Sequence, residues 1–262
     1  MKTITKLSAG ALGGHRLAML TAYDALFAGF ASGVGVDILL VGDSLGMVVQ
    51  GYTDTLRVTI EQMAYHTACV VRGNVDSVVL SDMPFGSYQA HADDAMRAAA
   101  TLMQAGAHAV KLEGGAPMAS TVHSLVERGV PVVGHIGMTP QSVHAFGGFR
   151  VQGRTDKAVE QLERDVLEIA AAGASMVVLE CVPASVGTHL AHLSPIPVIG
   201  IGAGPNVHGQ VMVMHDILGW TVNPPKFARN FSLNQTCTQA AIEAYVNAVR
   251  TATFPSESEC YA

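Results

Sequence analysis

Residues 176–180 read Met-Val-Val-Leu-Glu, a short apolar run that ends in a carboxylate, and runs of this kind decide the fold. A stretch of Val, Leu and Ile with little polar alternation is typical of a parallel strand that is covered on both faces. Similar runs recur along the whole chain. They predict eight strands, at residues 17–20, 37–41, 77–82, 109–113, 131–135, 176–180, 197–201 and 211–215.

Segments with helical periodicity lie between these strands and predict α/β architecture. The helix candidates are residues 25–32, 60–71, 92–105, 119–127 and 157–171. Eight strands close a (β/α)8 TIM barrel, and the length of 262 residues is close to the ~250 typical of that fold. A doubly wound open sheet is the competing fold, but strand count and length favour the barrel. We predict a single domain over residues 1–262, with a short N-terminal extension, a C-terminal helix near residues 240–249 and then a frayed tail.

The composition restricts the partners of the chain. Only 14% of residues are charged, so a buried sheet and contacts with further copies of the chain are expected to hide much of the surface. The net charge of −6, without a basic patch, argues against nucleic acid as a partner. Four scattered cysteines form no disulfide framework, which indicates a reducing, cytoplasmic setting. The N-terminus shows no secretory pattern and no apolar run reaches ~18 residues, so we expect no membrane association.

Ionisable residues stand where the apolar runs end. Residues of one parity face one side of a strand. The pairs of equal parity are Val41 with Asp43, Leu80 with Asp82, Lys111 with Glu113, and Val178 with Glu180, and His135 ends its own strand. In a barrel these strand ends converge on the mouth where barrel enzymes carry out their chemistry.

The predicted mouth holds four carboxylates against Lys111 and His135. Carboxylates gathered in one place repel, and some would take up protons unless cations intervene, so a bound divalent ion is expected. The candidate ligands are oxygen donors, and no Cys/His spacing indicates zinc. Hard oxygen ligands favour Mg²⁺, which keeps waters and takes only one or two carboxylates.

Each of these residues also has an ordinary structural interpretation. Asp43 and Ser44 are frequent helix caps, and Asp82 before Met-Pro is a plausible turn former. Lys111 and Glu113 can be a plain ion pair, Glu180 a helix cap and His135 a core residue. Five strand ends with the same property nevertheless favour a shared site. Cys181 differs, because its parity turns it away from Glu180, so we interpret it as a buried apolar residue and not a nucleophile.

Two loops near the predicted mouth are informative. Residues 200–204 read Gly-Ile-Gly-Ala-Gly, which lacks the spacing of a dinucleotide-binding fingerprint and predicts a tight turn instead. Residues 137–154 are too many for a plain connection. Long barrel loops are often lids, and contact with another subunit is the alternative.

Several blocks of this sequence resemble the ketopantoate hydroxymethyltransferase family. The matching blocks are residues 40–47 (LVGDSLGM), 65–67 (YHT), 110–115 (VKLEGG), 134–142 (GHIGMTPQS), 151–154 (VQGR), 179–183 (LECVP) and 199–204 (IGIGAG). The resemblance runs in the right order from about residue 20 to residue 231. The family usually has Asp-Gly-Gln after the glycine turn, whereas this chain has His208-Gly209-Gln210.

The resemblance implies a (β/α)8 barrel that takes a one-carbon unit from 5,10-methylenetetrahydrofolate and adds it, with water, to 3-methyl-2-oxobutanoate. The product is 2-dehydropantoate, an intermediate of pantothenate biosynthesis. The implied magnesium ligands are Asp43, Asp82 and Glu113, of which Glu113 acts either directly or through a water. The implied keto-acid contacts are Asp43, Ser44, Asp82 and Lys111, to which we add His135. Glu180 is the implied proton acceptor, and the implied assembly is a homo-oligomer, a decamer in bacterial members.

The predicted chemistry is proton removal from C3 of a Mg²⁺-chelated keto acid, followed by attack of the Mg²⁺-stabilised enolate on the folate methylene carbon. Another Mg²⁺-dependent 2-keto-acid carbon–carbon lyase, or a class II aldolase, is the nearest alternative because it uses the same enolate. A non-catalytic barrel scaffold is a second alternative, against which the intact set of ionisable residues argues.

Overall fold

The computed structural model describes residues 2–262, and its centre is a closed barrel of eight parallel strands in sequence order, with β8 paired back onto β1. This confirms the predicted (β/α)8 barrel. The strands are β1 Leu17–Thr21, β2 Ile38–Val41, β3 Val78–Asp82, β4 Ala109–Glu113, β5 Val132–Gly137, β6 Met176–Glu180, β7 Val198–Ile201 and β8 Gly209–Met212.

Helices follow most strands and form the outer layer. They are α1 Ile4–Leu12, α2 Ala25–Gly33, α3 Leu45–Val48, α4 Ile60–Gly73, α5 Ala92–Gln104, α6 Ala119–Glu127, α7 Val143–Phe146, α8 Asp156–Ala171, α9 Ala184–Leu193, α10 Met214–Ile217 and α11 Thr238–Arg250. Short 3-10 turns occupy Ala116–Met118, Pro140–Ser142 and Glu257–Glu259. Helix α11 includes residues 240–249, for which the sequence predicted a C-terminal helix. Among the helices of residues 2–262, none has the length and apolar character needed to cross a membrane.

The barrel interior is filled by one alternating set of apolar side chains. This set is Leu17, Met19, Ile38, Leu40, Val78, Leu80, Ala109, Val133, Met176, Val178, Ile199 and Val211. The N-terminal extension forms α1, whose Ile4, Leu7 and Ala11 join the same cluster and close the lower end of the barrel. Because that end is closed, the upper end is the remaining entrance to the interior.

The eighth strand lies two residues earlier than predicted. The sequence indicated residues 211–215, but β8 is Gly209–Met212 and the following Met214–Ile217 is a short helix. A side chain at position 209 would place its Cβ only 2.4 Å from the carbonyl oxygen of Leu17, so glycine permits the close pairing with β1. This contact joins distant parts of the chain, so the local apolar pattern could not predict it.

The prediction of a frayed tail is wrong. Arg229 binds the Glu259 carboxylate with two nitrogens, at 2.7 Å and 2.6 Å. The backbone N–H of Ala184 donates to the carbonyl oxygen of Tyr261 at 3.0 Å. Chain termini are ordered where such bonds tie them down, and these bonds hold Tyr261 against the barrel.

A pair of reciprocal hydrogen bonds that recurs at several strands explains why a histidine can occupy position 208. At the start of β2, the Asp37 N–H donates to Ala18 O at 2.9 Å, and Ala18 N–H donates back to Asp37 Oδ2 at 3.1 Å. At the start of β8, His208 N–H donates to Val198 O at 2.9 Å, and Val198 N–H donates back to His208 Nδ1 at 3.1 Å. His108 makes the same pair before β4. Asp and His are therefore alternative acceptors in one backbone motif.

We expect the stability of the His208→Asp variant to fall less steeply than that of wild type as the pH is lowered. Burial, and then the charges of Arg16 and His192, lower the pKa of His208 from 6.5. A group whose pKa is lowered by folding contributes stability above the unfolded pKa, and this contribution is lost as pH falls below 6.5. Melting temperatures between pH 7.5 and pH 5.5 are the measurement. An unchanged slope in the variant would contradict this account of His208.

The same variant should leave activity nearly intact. His208 precedes β8, so it lies at the closed end of the barrel, away from the strand ends that form the mouth. The rate of a reaction at the mouth should stay within about tenfold of the wild-type rate, which is equivalent to roughly 1.4 kcal/mol in the activation barrier. Steady-state kinetics of the two proteins at pH 7.5 test this, and a large gain in the variant would show that His208 impairs the wild-type chain.

Candidate active site

One cavity of about 540 Å³ opens at the carboxyl ends of the strands. All residues that the sequence assigned to the site line this cavity, namely Asp43, Ser44, Asp82, Lys111, Glu113, His135 and Glu180. The rest of the lining is largely apolar and includes Phe149, Val151, Met212, Phe227 and Tyr261. We call the ionisable residues the ionic side of the cavity and the apolar and aromatic residues its aromatic side.

The register of the barrel brings charged side chains together in pairs. Asp82 lies opposite Lys111, and Lys111 Nζ is 3.2 Å from Asp82 Oδ1. Glu113 lies opposite His135, whose Nδ1 is 3.5 Å from Glu113 Oε1 and 3.1 Å from Lys111 Nζ. His135 Nε2 is 3.2 Å from Glu180 Oε2. Four adjacent strands thus supply one continuous row of ionisable groups.

Asp43 reaches the cavity for a reason that strand parity did not supply. The parity partner Val41 faces the outer helices, whereas Leu40 faces the barrel interior. β2 ends at Val41, and a turn follows in which Leu45 N–H donates to Gly42 O at 3.1 Å. The Asp43 N–H then donates to Asp82 Oδ2 at 3.0 Å, which fixes the turn over the mouth. The predicted location is confirmed, but the geometric reason given for it is wrong.

Ser44 and Cys181 border the same cavity. Ser44 Oγ is 2.9 Å from the hydroxyl of the buried Tyr23. Cys181 has a backbone φ of 49°, a left-handed conformation that defeats the parity argument, so this half-buried side chain does not turn away from the cavity as predicted. Burial, and then the charge of Glu180, raise the pKa of the Cys181 thiol, so it is expected to stay protonated and unreactive.

The buried carboxylates differ in how easily they ionise. Burial raises the pKa of Asp43 well above its usual range, and the charges of Asp82 and Glu113 add to the rise. Burial also raises the pKa of Asp82, against the opposing charge of Lys111. Burial acts upward on Glu113 too, but its hydrogen bond with His135, the charge on that ring and the charge of Lys111 together lower its pKa. Asp43 is therefore the carboxyl most in need of a further positive charge.

The two basic groups are held in their charged forms. Burial lowers the pKa of Lys111, but the charges of Asp82 and Glu113 outweigh burial and raise it. Burial and the charge of Lys111 lower the pKa of His135, but its bonds to Glu113 and Glu180 outweigh them and raise it to about 9. Two cations then face four carboxylates, which leaves the site short of positive charge.

Two buried carboxylate oxygens of the site fit a bound Mg²⁺ ion. Asp82 Oδ1 lies 3.2 Å from Lys111 Nζ and Glu113 Oε1 lies 3.5 Å from His135 Nδ1, but neither oxygen accepts an aligned hydrogen bond within residues 2–262. In that same part of the chain, no three His, Cys, Asp or Glu side chains are grouped closely enough to hold a metal ion alone. Mg²⁺ takes one or two carboxylates and completes its shell with water or substrate oxygens, so it needs no such group. Asp43, Asp82 and Glu113 remain its predicted ligands, and Glu113 would act through a water if only two carboxylates bind the ion directly.

Two residues of the site were not predicted from the sequence as functional residues. Gln141, in the long loop, is buried and bonds to Asp43 and Glu113. Tyr261, in the tail, lines the cavity wall, where its ring packs edge-on against Phe227 at 6.3 Å. Gln141 belongs to a block that carries the family resemblance, which was the available signal. For Tyr261 the sequence holds no local signal.

Comparison with known proteins agrees with the resemblance. The sequence profile of a family described as ketopantoate hydroxymethyltransferase matches residues 1–257. The chain is 55% identical over 250 residues to a 3-methyl-2-oxobutanoate hydroxymethyltransferase of Azoarcus sp. strain BH72, covering 95% of this chain and 92% of the relative. It is 52% identical over 260 residues to the enzyme of that name from Ralstonia nicotianae, covering 99% and 94%.

Solved structures share the fold at much lower sequence identity. A phosphonopyruvate hydrolase, crystallised in complex with oxalate and Mg²⁺, superposes with a TM-score of 0.63 at 13% identity, covering 83% of each chain. This similarity supports the barrel architecture alone.

Proposed function

This chain belongs to the ketopantoate hydroxymethyltransferase family, and from that premise we propose that it transfers a hydroxymethyl group from 5,10-methylenetetrahydrofolate to 3-methyl-2-oxobutanoate. The chain is a transferase, as its close relatives are. The product of the proposed reaction is 2-dehydropantoate, which places the enzyme in pantothenate biosynthesis. The observation that carries the proposal is the single cavity lined by Glu180, by the carboxylates of Asp43, Asp82 and Glu113, and by Lys111.

The ionic side of the cavity suits a 2-keto acid. Lys111 is buried beside Asp82 and is the nearest fixed cation for the substrate carboxylate or for negative charge that develops on the keto oxygen. Asp43, Asp82 and Glu113 would hold Mg²⁺, and Ser44 and His135 would add hydrogen bonds to the substrate. When bound there, Mg²⁺ supplies Lewis acidity that lowers the energy of an enolate oxygen.

Glu180 is the proposed base for the C3 proton. Its side chain is only 13% exposed, and Oε2 lies 3.2 Å from His135 Nε2, so the protonated ring can hold the carboxylate in one orientation. A carboxylate on the cavity wall can accept a proton from a substrate that is anchored at the ionic side. The resulting carbon nucleophile would form a C–C bond to the methylene carbon of the folate while one of the two C–N bonds of that carbon breaks. Water would then supply the hydroxyl group as the second C–N bond breaks, and the C3 proton and one proton of water would end on the two nitrogens of the departing tetrahydrofolate.

The aromatic side of the cavity suits the folate. Phe149, Phe227 and Tyr261 line the aromatic side of the cavity. Aromatic rings bind flat heterocycles through offset or edge contacts, and they also exclude water from the reacting carbon. We propose that the donor enters along this wall and that further copies of the chain assemble into a homo-oligomer, a decamer by family analogy.

The two alternative functions have less support. A carbon–carbon lyase or class II aldolase would use the same ionic side of the cavity, but the family match over residues 1–257 favours the transferase. A non-catalytic scaffold does not agree with the enzymatic names of relatives that are identical to this chain at more than half of the aligned positions.

Product formation should require a divalent ion. We expect EDTA to abolish formation of 2-dehydropantoate and added Mg²⁺ to restore it, because the site has more buried carboxylates than cations. The measurement is product formation, quantified by mass spectrometry, before chelation, after chelation and after Mg²⁺ addition. Full activity in the chelated and dialysed enzyme would contradict the proposed metal dependence.

A further inference from the structure

We propose that Gln141 is a positioning residue of this site, which holds Asp43 and Glu113 by one carboxylate oxygen each and so presents their other oxygens to the bound ligands. The inference rests on the proposed function and concerns how the site is oriented. Gln141 is 6% exposed and lies in the 3-10 turn Pro140–Ser142 of the long loop.

The bonds to the carboxylates come from two parts of Gln141. Its side-chain Nε2 donates to Asp43 Oδ2 at 2.8 Å and to the carbonyl oxygen of Met83 at 3.0 Å. Its backbone N–H donates to Glu113 Oε2 at 2.9 Å. One residue of the loop therefore contacts two carboxylates that come from different strands.

The far end of the amide is also fixed. Gln141 Oε1 accepts a hydrogen bond from Tyr88 Oη at 2.7 Å and one from Gln89 Nε2 at 3.0 Å. The hydroxyl of Tyr88 in turn accepts the backbone N–H of Glu113 at 3.0 Å. Reversal of the amide would set its oxygen against two acceptors, Asp43 Oδ2 and the carbonyl oxygen of Met83, so the network favours the present orientation.

These bonds place a backbone or amide N–H donor on one oxygen of each predicted metal ligand. Asp43 Oδ2 and Glu113 Oε2 are occupied by Gln141, and Asp82 Oδ2 is occupied by the Asp43 N–H at 3.0 Å. Glu113 Oε1 and Asp82 Oδ1 are buried and accept no aligned hydrogen bond among the described residues, although His135 Nδ1 lies 3.5 Å from the first and Lys111 Nζ lies 3.2 Å from the second. A carboxylate held in this way is expected to bind a cation through a single oxygen, which suits the compact octahedral shell of Mg²⁺.

The position of Gln141 gives the long loop a second role. Residues 137–154 border the cavity through Pro140, Phe149, Arg150 and Val151, and the same loop delivers Gln141 to the carboxylates. The conformation of the loop and the orientation of Asp43 and Glu113 are therefore coupled. Partners that orient metal ligands in this manner commonly contribute 10- to 100-fold to affinity or activity.

The variant Gln141→Met tests the inference, because Met has nearly the same length but lacks the amide. We expect it to bind Mn²⁺, used as a spectroscopic probe for Mg²⁺, about 10- to 100-fold more weakly than wild type, measured by electron paramagnetic resonance without substrate. We also expect kcat to recover partly at high Mg²⁺ concentration. Gln141→Asn, which keeps an amide but is one methylene shorter, should fold and should show a smaller loss.

The matched control is Tyr245→Phe. Tyr245 is also fully buried and hydrogen-bonds two backbone carbonyl oxygens, but it lies on α11 outside the barrel. It should lower the melting temperature without changing Mn²⁺ affinity. Equal Mn²⁺ affinity in wild type, Gln141→Met and Gln141→Asn would overturn the positioning role. If wild type itself bound no Mn²⁺, the proposed metal-dependent function would fail instead, so the two failures are distinguishable.

Discussion

Replacement of Glu180 by Gln is expected to lower turnover about 10²- to 10⁴-fold, which is the usual contribution of a positioned general base. The amide keeps the shape of the side chain but cannot accept the C3 proton. Binding of the keto acid should remain, because Lys111 and the carboxylates on β3 and β4 are unchanged. Calorimetry measures that binding, and product formation measures turnover.

Hydrogen exchange isolates the proton-transfer step of the same variant. Wild type with Mg²⁺ and 3-methyl-2-oxobutanoate in D2O should replace the C3 proton by deuterium, seen by NMR as collapse of the methyl doublet. Glu180→Gln should stop this exchange. Full exchange together with full turnover in the variant would show that another residue is the base, and His135, at 3.2 Å from Glu180, is the next candidate.

Replacement of Asp82 by Asn should abolish metal-dependent binding of the keto acid, with a loss of at least about 100-fold. Loss of an outer partner of a metal ligand already costs roughly 10- to 100-fold, and Asp82 is a predicted ligand itself. The change also removes the nearest counter-charge of Lys111, at 3.2 Å. Calorimetric titration with keto acid, with and without Mg²⁺, is the measurement.

Asp37→Asn is the matched control for Asp82→Asn. Asp37 is also a buried aspartate, 3.3 Å from Lys2 Nζ, but it lies at the closed end of the barrel. It should cost stability and leave keto-acid binding unchanged. If both variants bound the keto acid like wild type, Asp82 would not belong to the metal site.

Much of the site could be predicted because a parallel strand imposes one parity and one direction. Lys111 and Glu113 follow the interior residue Ala109 at steps of two, and Glu180 follows Val178. This alternation of side chains is a local property of the sequence. It holds in the structure because β4 and β6 stay regular to their last residue. The apolar runs that mark such strands also specify that both faces are covered, which is why the barrel could be predicted.

The features that could not be predicted depend on contacts between distant segments. Asp43 points into the mouth because a turn after β2 is fixed by Asp82, and Cys181 borders the cavity because its backbone is left-handed. Gln141 lies 98 positions from Asp43, and their contact depends on the path of a loop. The tail is held at the cavity, with Tyr261, by hydrogen bonds that the periodicity of the sequence does not predict.

Transfer of a labelled carbon tests the central claim most directly. The enzyme would be incubated with Mg²⁺, 3-methyl-2-oxobutanoate and 5,10-methylenetetrahydrofolate that carries ¹³C in the methylene group, and the products would be read by NMR. We predict that the label appears in the hydroxymethyl carbon of 2-dehydropantoate, with tetrahydrofolate formed in equal amount. Label that stays on the folate while the keto acid is returned unchanged or cleaved would contradict the assignment as a hydroxymethyltransferase.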